Sequence, residues 1–158
     1  MNGPEIGDKA PGFSLFDTER KARTLDEFLG KNLVVAFYPG AFTSVCTKEM
    51  CAFRDSITRL EELDSGVVGI SVNDPFTNAA FAERNAIKFP LLSDYRREAA
   101  ETYGVSLEDF AGMSGYTAAK RSIFIVDKQG TVRYKWVTDD QGVEPDYEEI
   151  HRALAEIG

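Results

Sequence analysis

The stretch LVVAFYPGAFTSVCTKEMCAFR, residues 33–54, decides how the rest of the chain is read. Residues 33–38 form an apolar run without alternation, which suits a central strand covered on both faces, as in a parallel sheet packed between helices. The run stops at Pro39 and Gly40, and a short loop follows. From Ser44 to Leu63, apolar or small residues recur at Val45, Met50, Phe53, Ile57 and Leu60 with charged residues between them, a helical spacing. Both cysteines of the protein, Cys46 and Cys51, fall in the first turns of that helix.

A cysteine that leaves a strand and enters the first turn of a helix sits among unpaired backbone N–H groups and the positive end of the helix dipole. The thiolate, which is the nucleophile, is favoured in such a place. Thr43, three residues before Cys46, can bring its hydroxyl beside the sulfur, both accepting from and donating to a bound oxygen. Pro39 supplies a fixed φ and no N–H, so it shields the site without competing for a hydrogen bond. Pro39, Thr43 and Cys46 make this loop the candidate active site.

Working outward, Gly66 is expected to break the helix, and Val67–Val72 reads as the next buried strand. Asn73-Asp74-Pro75 is a cap followed by a first-turn proline, opening a helix over residues 76–86. Upstream, residues 12–18 and 21–24 read as a hairpin turning at Glu19 and Arg20. Thr24 with Glu27 forms a capping-box pattern for a short helix over Leu25–Phe28, ended by Gly30. Downstream come a short strand at Phe89–Leu92 and a helix containing Ala99, Ala100 and Tyr103, capped by Asp94 and ended by Gly104. Residues 105–120 lack a clean period and read as a long surface loop. Ser122–Val126 is another buried strand, Asp127–Gly130 a turn, and Val132–Val137 the returning strand of a hairpin. Asp146 and Glu149 start a last helix with Tyr147, Ile150, Leu154 and Ile157 on one face. The fold class is α/β, a central mixed sheet sandwiched between helices with an N-terminal β-hairpin.

The 158 residues fit one domain, 1–158, long enough to bury about two-thirds of the surface of the unfolded chain. A composition 43% hydrophobic and 28% charged is that of a soluble globular protein. The net charge of -8 argues against nonspecific nucleic-acid binding, which needs basic surface. The N-terminal residues 1–8 show neither a basic nor an apolar region of a secretory leader, and no apolar run approaches the ~20 residues of a membrane helix. The expectation is a cytoplasmic protein with no membrane partner, whose two cysteines are reduced at rest.

Pro39-x-x-x-Thr43-x-x-Cys46 resembles the active-site motif of the peroxiredoxins, thioredoxin-fold enzymes that reduce hydroperoxides. Glu49 falls where many members carry Glu, and Lys120–Asp127 is similar to the family's arginine followed by an apolar strand and turn. The likeness runs from Gly7 to about Trp136. It implies Cys46 as the nucleophile that becomes a sulfenic acid, Thr43 and Arg121 as holders of the peroxide and of the charge on its leaving oxygen, and no cofactor. Arg121 is a permanently charged donor fork suited to that work. Glu49 either orients the guanidinium or is a solvated first-turn residue stabilised by the helix dipole.

Cys51 lies five residues after Cys46, a spacing that resembles the Q-type (bacterioferritin-comigratory) peroxiredoxins, in which the second cysteine resolves the sulfenic acid. On an intact helix two such positions are roughly 8–9 Å apart and point about 140° away from each other. A disulfide needs Cα atoms within about 7 Å. The first turns must therefore unwind, unless Cys51 is a buried small hydrophobe and an external thiol resolves Cys46. The resemblance further implies a thioredoxin- or glutaredoxin-like reductant and a homodimer lined by Phe42 and nearby loop residues.

Other chemistries fit less well. Two cysteines and one histidine cannot close a four-ligand zinc site. A Cys-His hydrolase would need His151, which reads as a partly exposed residue of the last helix. No C-x-x-C is present, against a thioredoxin-type oxidoreductase. A peroxide sensor or holdase would use the same sulfur and differ in lacking sustained turnover. Trp136 reads as a packing residue.

Overall fold

A computed structural model describes residues 3–157; Met1 and Asn2, part of the segment read as lacking a leader, and Gly158 lie outside the described residues. The chain forms β1 (Ser14–Phe16), β2 (Ala22–Thr24), a 3-10 turn (Leu25–Phe28), β3 (Asn32–Phe37), α1 (Ser44–Asp55), α2 (Ile57–Glu62), β4 (Ser65–Ser71) and α3 (Pro75–Arg84). It continues with β5 (Leu91–Ser93), α4 (Glu98–Thr102), β6 (Ser106–Leu107), β7 (Ala118–Ala119), β8 (Ser122–Val126), β9 (Val132–Val137) and α5 (Tyr147–Ile157). Seven strands make one mixed sheet in the order β2-β1-β5-β4-β3-β8-β9.

β3 is the centre. It pairs parallel with β4 and antiparallel with β8, and all six of its residues are buried. Leu33, Val35 and Phe37 join one hydrophobic cluster, with Val68, Phe124 and Tyr103. Val34 and Ala36 join the other, with Met50, Phe53, Phe81, Ile123 and Leu154. The missing alternation in the sequence is thus double-sided burial. One face carries α1, α2, α3 and α5; α4, with Ala99 and Ala100, covers the other.

Several local signals act as expected. Asp74 caps α3 by accepting from the Thr77 N–H at 2.8 Å, with Pro75 as its first residue. Asp94 accepts from the N–H groups of Ala99 and Ala100 at 3.0 and 2.8 Å, holding the short α4. The Thr24 N–H donates to the Glu27 carboxylate at 3.2 Å.

Three expectations are corrected. The helix over 44–63 is two helices, because the Ser56 hydroxyl donates to the Ala52 carbonyl at 2.8 Å and the backbone at Ser56 leaves helical geometry. The second ends at Glu62 and the chain turns at Asp64, in the left-handed region at φ 51; Gly66 lies inside β4, opposite Leu33. Within residues 105–120, β6 and β7 pair as a small second sheet around a 3-10 turn at Phe110–Gly112. Strands of two residues leave no period to read.

Gly69 sits on β4 where the sheet meets α1. A Cβ there would lie 2.8 Å from Leu91 Cδ2, 3.2 Å from Met50 Sδ and 3.2 Å from Tyr38 Cε1. We expect Gly69→Ala to destabilise the protein by about 1–3 kcal/mol through overpacking, read as a lowered urea midpoint at unchanged slope.

Candidate active site

The site assembles at the C-terminal end of β3. Tyr38 extends the pairing, its N–H donating to the Ile70 carbonyl at 3.0 Å, and Pro39 and Gly40 are buried behind it. The loop then turns sharply at Phe42, whose φ of 66 is strained for a bulky residue. Two hydrogen bonds hold it: the Ala41 N–H donates to Asn73 Oδ1 at 2.8 Å, and the Thr43 hydroxyl donates to the Gly40 carbonyl at 2.9 Å. Because its proton is committed to Gly40, the exposed Thr43 hydroxyl is an acceptor toward anything else bound there. Sequence reasoning had allowed it both roles.

Thr43 is the residue before α1. The first intrahelical bond is Thr47 N–H to the Thr43 carbonyl, at 2.9 Å, so the N–H groups of Ser44, Val45 and Cys46 precede the ladder. Cys46 has 0% exposure and packs among Met50, Phe53 and Tyr38.

Arg121 closes the site from 75 residues away. The antiparallel register pairs Phe37 with Ser122, so Arg121, just before β8, stands beside the end of β3. Its Nη2 donates to Cys46 Sγ at 3.2 Å and its Nη1 to Glu49 Oε1 at 2.7 Å. Arg121 is 2% exposed and Glu49 0%. The solvated reading of Glu49 is overturned: α1 carries Cys46 and Glu49 inward to one guanidinium.

A third holder, Gln141, was missed by sequence reasoning. Its backbone carbonyl accepts from Arg121 Nη2 at 2.8 Å and Nε at 3.2 Å, and its Oε1 accepts from the Arg121 N–H at 2.6 Å. It lies in a polar stretch, residues 138–142, where the only signal was turn-forming composition. Asn73, which the sequence marks as part of a helix cap, also accepts from Ser71 Oγ at 3.0 Å and so ties the loop to β4.

Cys51 and His151 stand apart. Cys51 lies on the same unbroken α1, half-buried, with its Sγ 3.8 Å from Asn85 Oδ1. His151 is 5% exposed rather than partly exposed, with its Nδ1 unpartnered among the described residues. Burial lowers its pKa, with Arg59 acting in the same direction. Trp136 packs half-buried against the cluster that contains Cys46.

The charges are unbalanced: one buried cation faces a carboxylate and a sulfur. Burial pushes the Glu49 pKa up to about 7, outweighing Arg121, and Glu144 adds to the rise. Glu49 Oε2 has no hydrogen-bond partner among the described residues, which makes the ionised form harder to keep. At Arg121 burial works against the charge, but Cys46 and Glu49 outweigh it, so the pKa is raised. Among the described residues, no group of three or more His, Cys, Asp or Glu could hold a metal ion. No helix of the described residues is long and apolar enough to cross a membrane.

A mixed sheet of this order, with a cysteine in the first turn of the helix after its central strand, defines a thioredoxin-fold thiol protein. The chain belongs to the AhpC/TSA family, whose model matches residues 6–135, and so is a peroxiredoxin. It is 39% identical to "Peroxiredoxin Q, chloroplastic" of Populus jackii over 80% of this chain, a match spanning only 57% of that relative. To "Peroxiredoxin Bcp" of Escherichia coli (strain K12) it is 37% identical, over 89% of this chain and 88% of that one. The crystal structure of "Peroxidoxin BcpB" from Mycobacterium tuberculosis superposes with a TM-score of 0.86 at 30% identity, covering 98% of both chains. These relatives place the chain with the Q-type and Bcp peroxiredoxins.

A carboxyl whose folded pKa lies above its ordinary 4.5 favours the fold when protonated, and that contribution fades as pH rises through about 7. Between pH 4.5 and 7.5 the wild type should therefore lose about 1–3 kcal/mol of stability relative to Glu49→Gln. Urea unfolding of both proteins across that range reads the difference, and a gain with rising pH would reverse the assignment.

Proposed function

We propose that the protein is a thiol-dependent peroxidase acting on hydrogen peroxide and organic hydroperoxides through Cys46. The observation that carries this reading is the 3.2 Å donation from Arg121 Nη2 to Cys46 Sγ, with both residues closed off from water. A fixed guanidinium beside the sulfur also stands beside the oxygen that departs from it, where a donor acts on developing negative charge.

In the reaction the sulfur attacks one oxygen of the hydroperoxide. An S–O bond forms, the O–O bond breaks, and the departing oxygen leaves as water or an alcohol after taking the thiol's proton. Cys46 is left as a sulfenic acid, two electrons more oxidised. Arg121 can donate to the leaving oxygen as its charge develops, and Glu49 and Gln141 keep the guanidinium in place. Thr43 accepts from the hydroperoxide O–H, while Pro39 walls the loop. Since Cys46 has no exposed surface, substrate entry requires a small shift of the covering side chains.

Cys51 then joins Cys46 as a disulfide with loss of water, and a thioredoxin- or glutaredoxin-like thiol reduces the pair. A cytoplasmic setting and a homodimer through the loop of Phe42, 51% exposed, belong to the same proposal. A second reading, resolution by an external thiol alone, is favoured by one observation: both cysteines sit on one unbroken helix, at a spacing too long for a disulfide.

Intact mass after one equivalent of hydrogen peroxide separates these. We expect wild type to lose two hydrogens, Cys51→Ser to hold a trappable sulfenic acid, and Cys46→Ser to stay unreacted. A persistent sulfenic acid with Cys51 free in wild type would give the one-cysteine enzyme; no reaction at Cys46 would end the peroxidase reading. Arg121→Met should slow sulfenic acid formation about 100-fold or more, measured by rapid quench.

A further inference from the structure

Where Cys51 rests decides how it leaves. The residue that ends α3, Asn85, has its amide orientation fixed: Nδ2 donates to the Phe81 carbonyl at 3.0 Å, which turns Oδ1 toward Cys51. Cys51 Sγ donates to that oxygen at 3.8 Å. Three residues further along α1, Arg54 Nη1 donates to the Asn85 backbone carbonyl at 2.6 Å. Residues three apart share a helix face, so the residue that caps the end of α3 receives two donors from the same side of α1. Arg54 is itself steadied by Asp55, which accepts from Nε at 2.9 Å.

These contacts use neither Cys46 nor Arg121. They fasten the half of α1 that must come free if Cys51 is to reach the sulfur of Cys46. A weak S–H donor adds little by itself, but the charged donor beside it makes a firmer tie.

We propose that Asn85 is a latch on the resolving half of α1, timing the delivery of Cys51 to oxidised Cys46. This rests on the two-cysteine reading of the proposed function. In the closed state Asn85 retains the Cys51 thiol and the Arg54 guanidinium. Opening releases both, and α1 unwinds between Cys46 and Cys51. The Cys51 sulfur then attacks the Cys46 sulfur: an S–S bond forms, the S–O bond of the sulfenic acid breaks, and the hydroxyl departs as water with the Cys51 proton. The sulfenic acid is the oxidant, so no further reagent is needed. Asn85 touches the Cys51 sulfur only at rest, before that sulfur leaves to react, and is a positioning residue. While the latch holds, a second peroxide can carry the sulfenic acid on to the sulfinic acid. The strength of the latch therefore divides the flux between disulfide and overoxidation.

The test compares wild type, Asn85→Ala, Arg54→Ala, the double variant and the conservative Arg54→Lys. Sulfenic acid formation and disulfide formation are timed separately by acid quench and intact mass, with hydrogen peroxide as the oxidant. Disulfide formation should be about 2- to 10-fold faster in Arg54→Ala, less so in Asn85→Ala, which keeps the main-chain acceptor of Arg54, and fastest in the double variant, while sulfenic acid formation stays at the wild-type rate. Arg54→Lys should remain near wild type. At excess peroxide, the sulfinic fraction should fall as disulfide formation rises. Amide exchange should quicken over residues 47–55 and not in β3, β4 or β8. Disulfide formation that is unchanged or slower in Arg54→Ala and in the double variant, or exchange that quickens equally through the sheet, would overturn the latch. Absence of any Cys46–Cys51 disulfide in wild type would instead overturn the resolving role of Cys51 on which it rests.

Discussion

A single buried cation organises this molecule's working end. Arg121 is held from three sides, by the carboxylate of Glu49, by the main chain and side-chain amide of Gln141, and by the sulfur of Cys46. An unpaired guanidinium in such a place would be costly, so each partner is needed to keep the charge inside. The partners come from α1 and from the link between β9 and α5, and the cation itself stands just before β8. Fixing the cation therefore fixes the mutual placement of three segments far apart in the chain.

The sheet makes that placement possible. Double-sided burial of β3 leaves its C-terminal end as the point where a loop can emerge under cover, and the antiparallel β8 brings Arg121 to that same end. The strained turn at Phe42 is kept by bonds to Asn73 and Gly40, so the loop enters α1 at a set angle. Strain of this kind persists only where neighbours over-determine it.

Much of this was legible beforehand. The unalternating run at 33–38, the cap at Asp74-Pro75 and the position of Cys46 at a helix start all follow from local chemistry that tertiary contacts leave intact. Other features depend on distant partners. For Glu49 the sequence leaves two readings open, a partner of Arg121 or a solvated first-turn acid, and only the fold decides between them; Gln141 carries no pattern, since it binds chiefly through its backbone. The break at Ser56 comes from one side-chain hydroxyl competing with the helix ladder, and the turn at Asp64 from a left-handed residue that is not glycine. His151 is buried because α5 lies against the sheet, which its neighbours Ile150 and Arg152 do not reveal.

The separation of Cys46 from Arg121 along the chain also has a bearing on biosynthesis. A ribosome makes the thiol-bearing helix first, then must add β4, β5 and the small second sheet before Arg121 appears, and another turn of sequence before Gln141. Contacts of such long range form late. Until then the nascent chain carries Cys46 without the guanidinium that stands 3.2 Å from its sulfur in the folded protein. The contact is withheld from the growing chain and made only in the finished one.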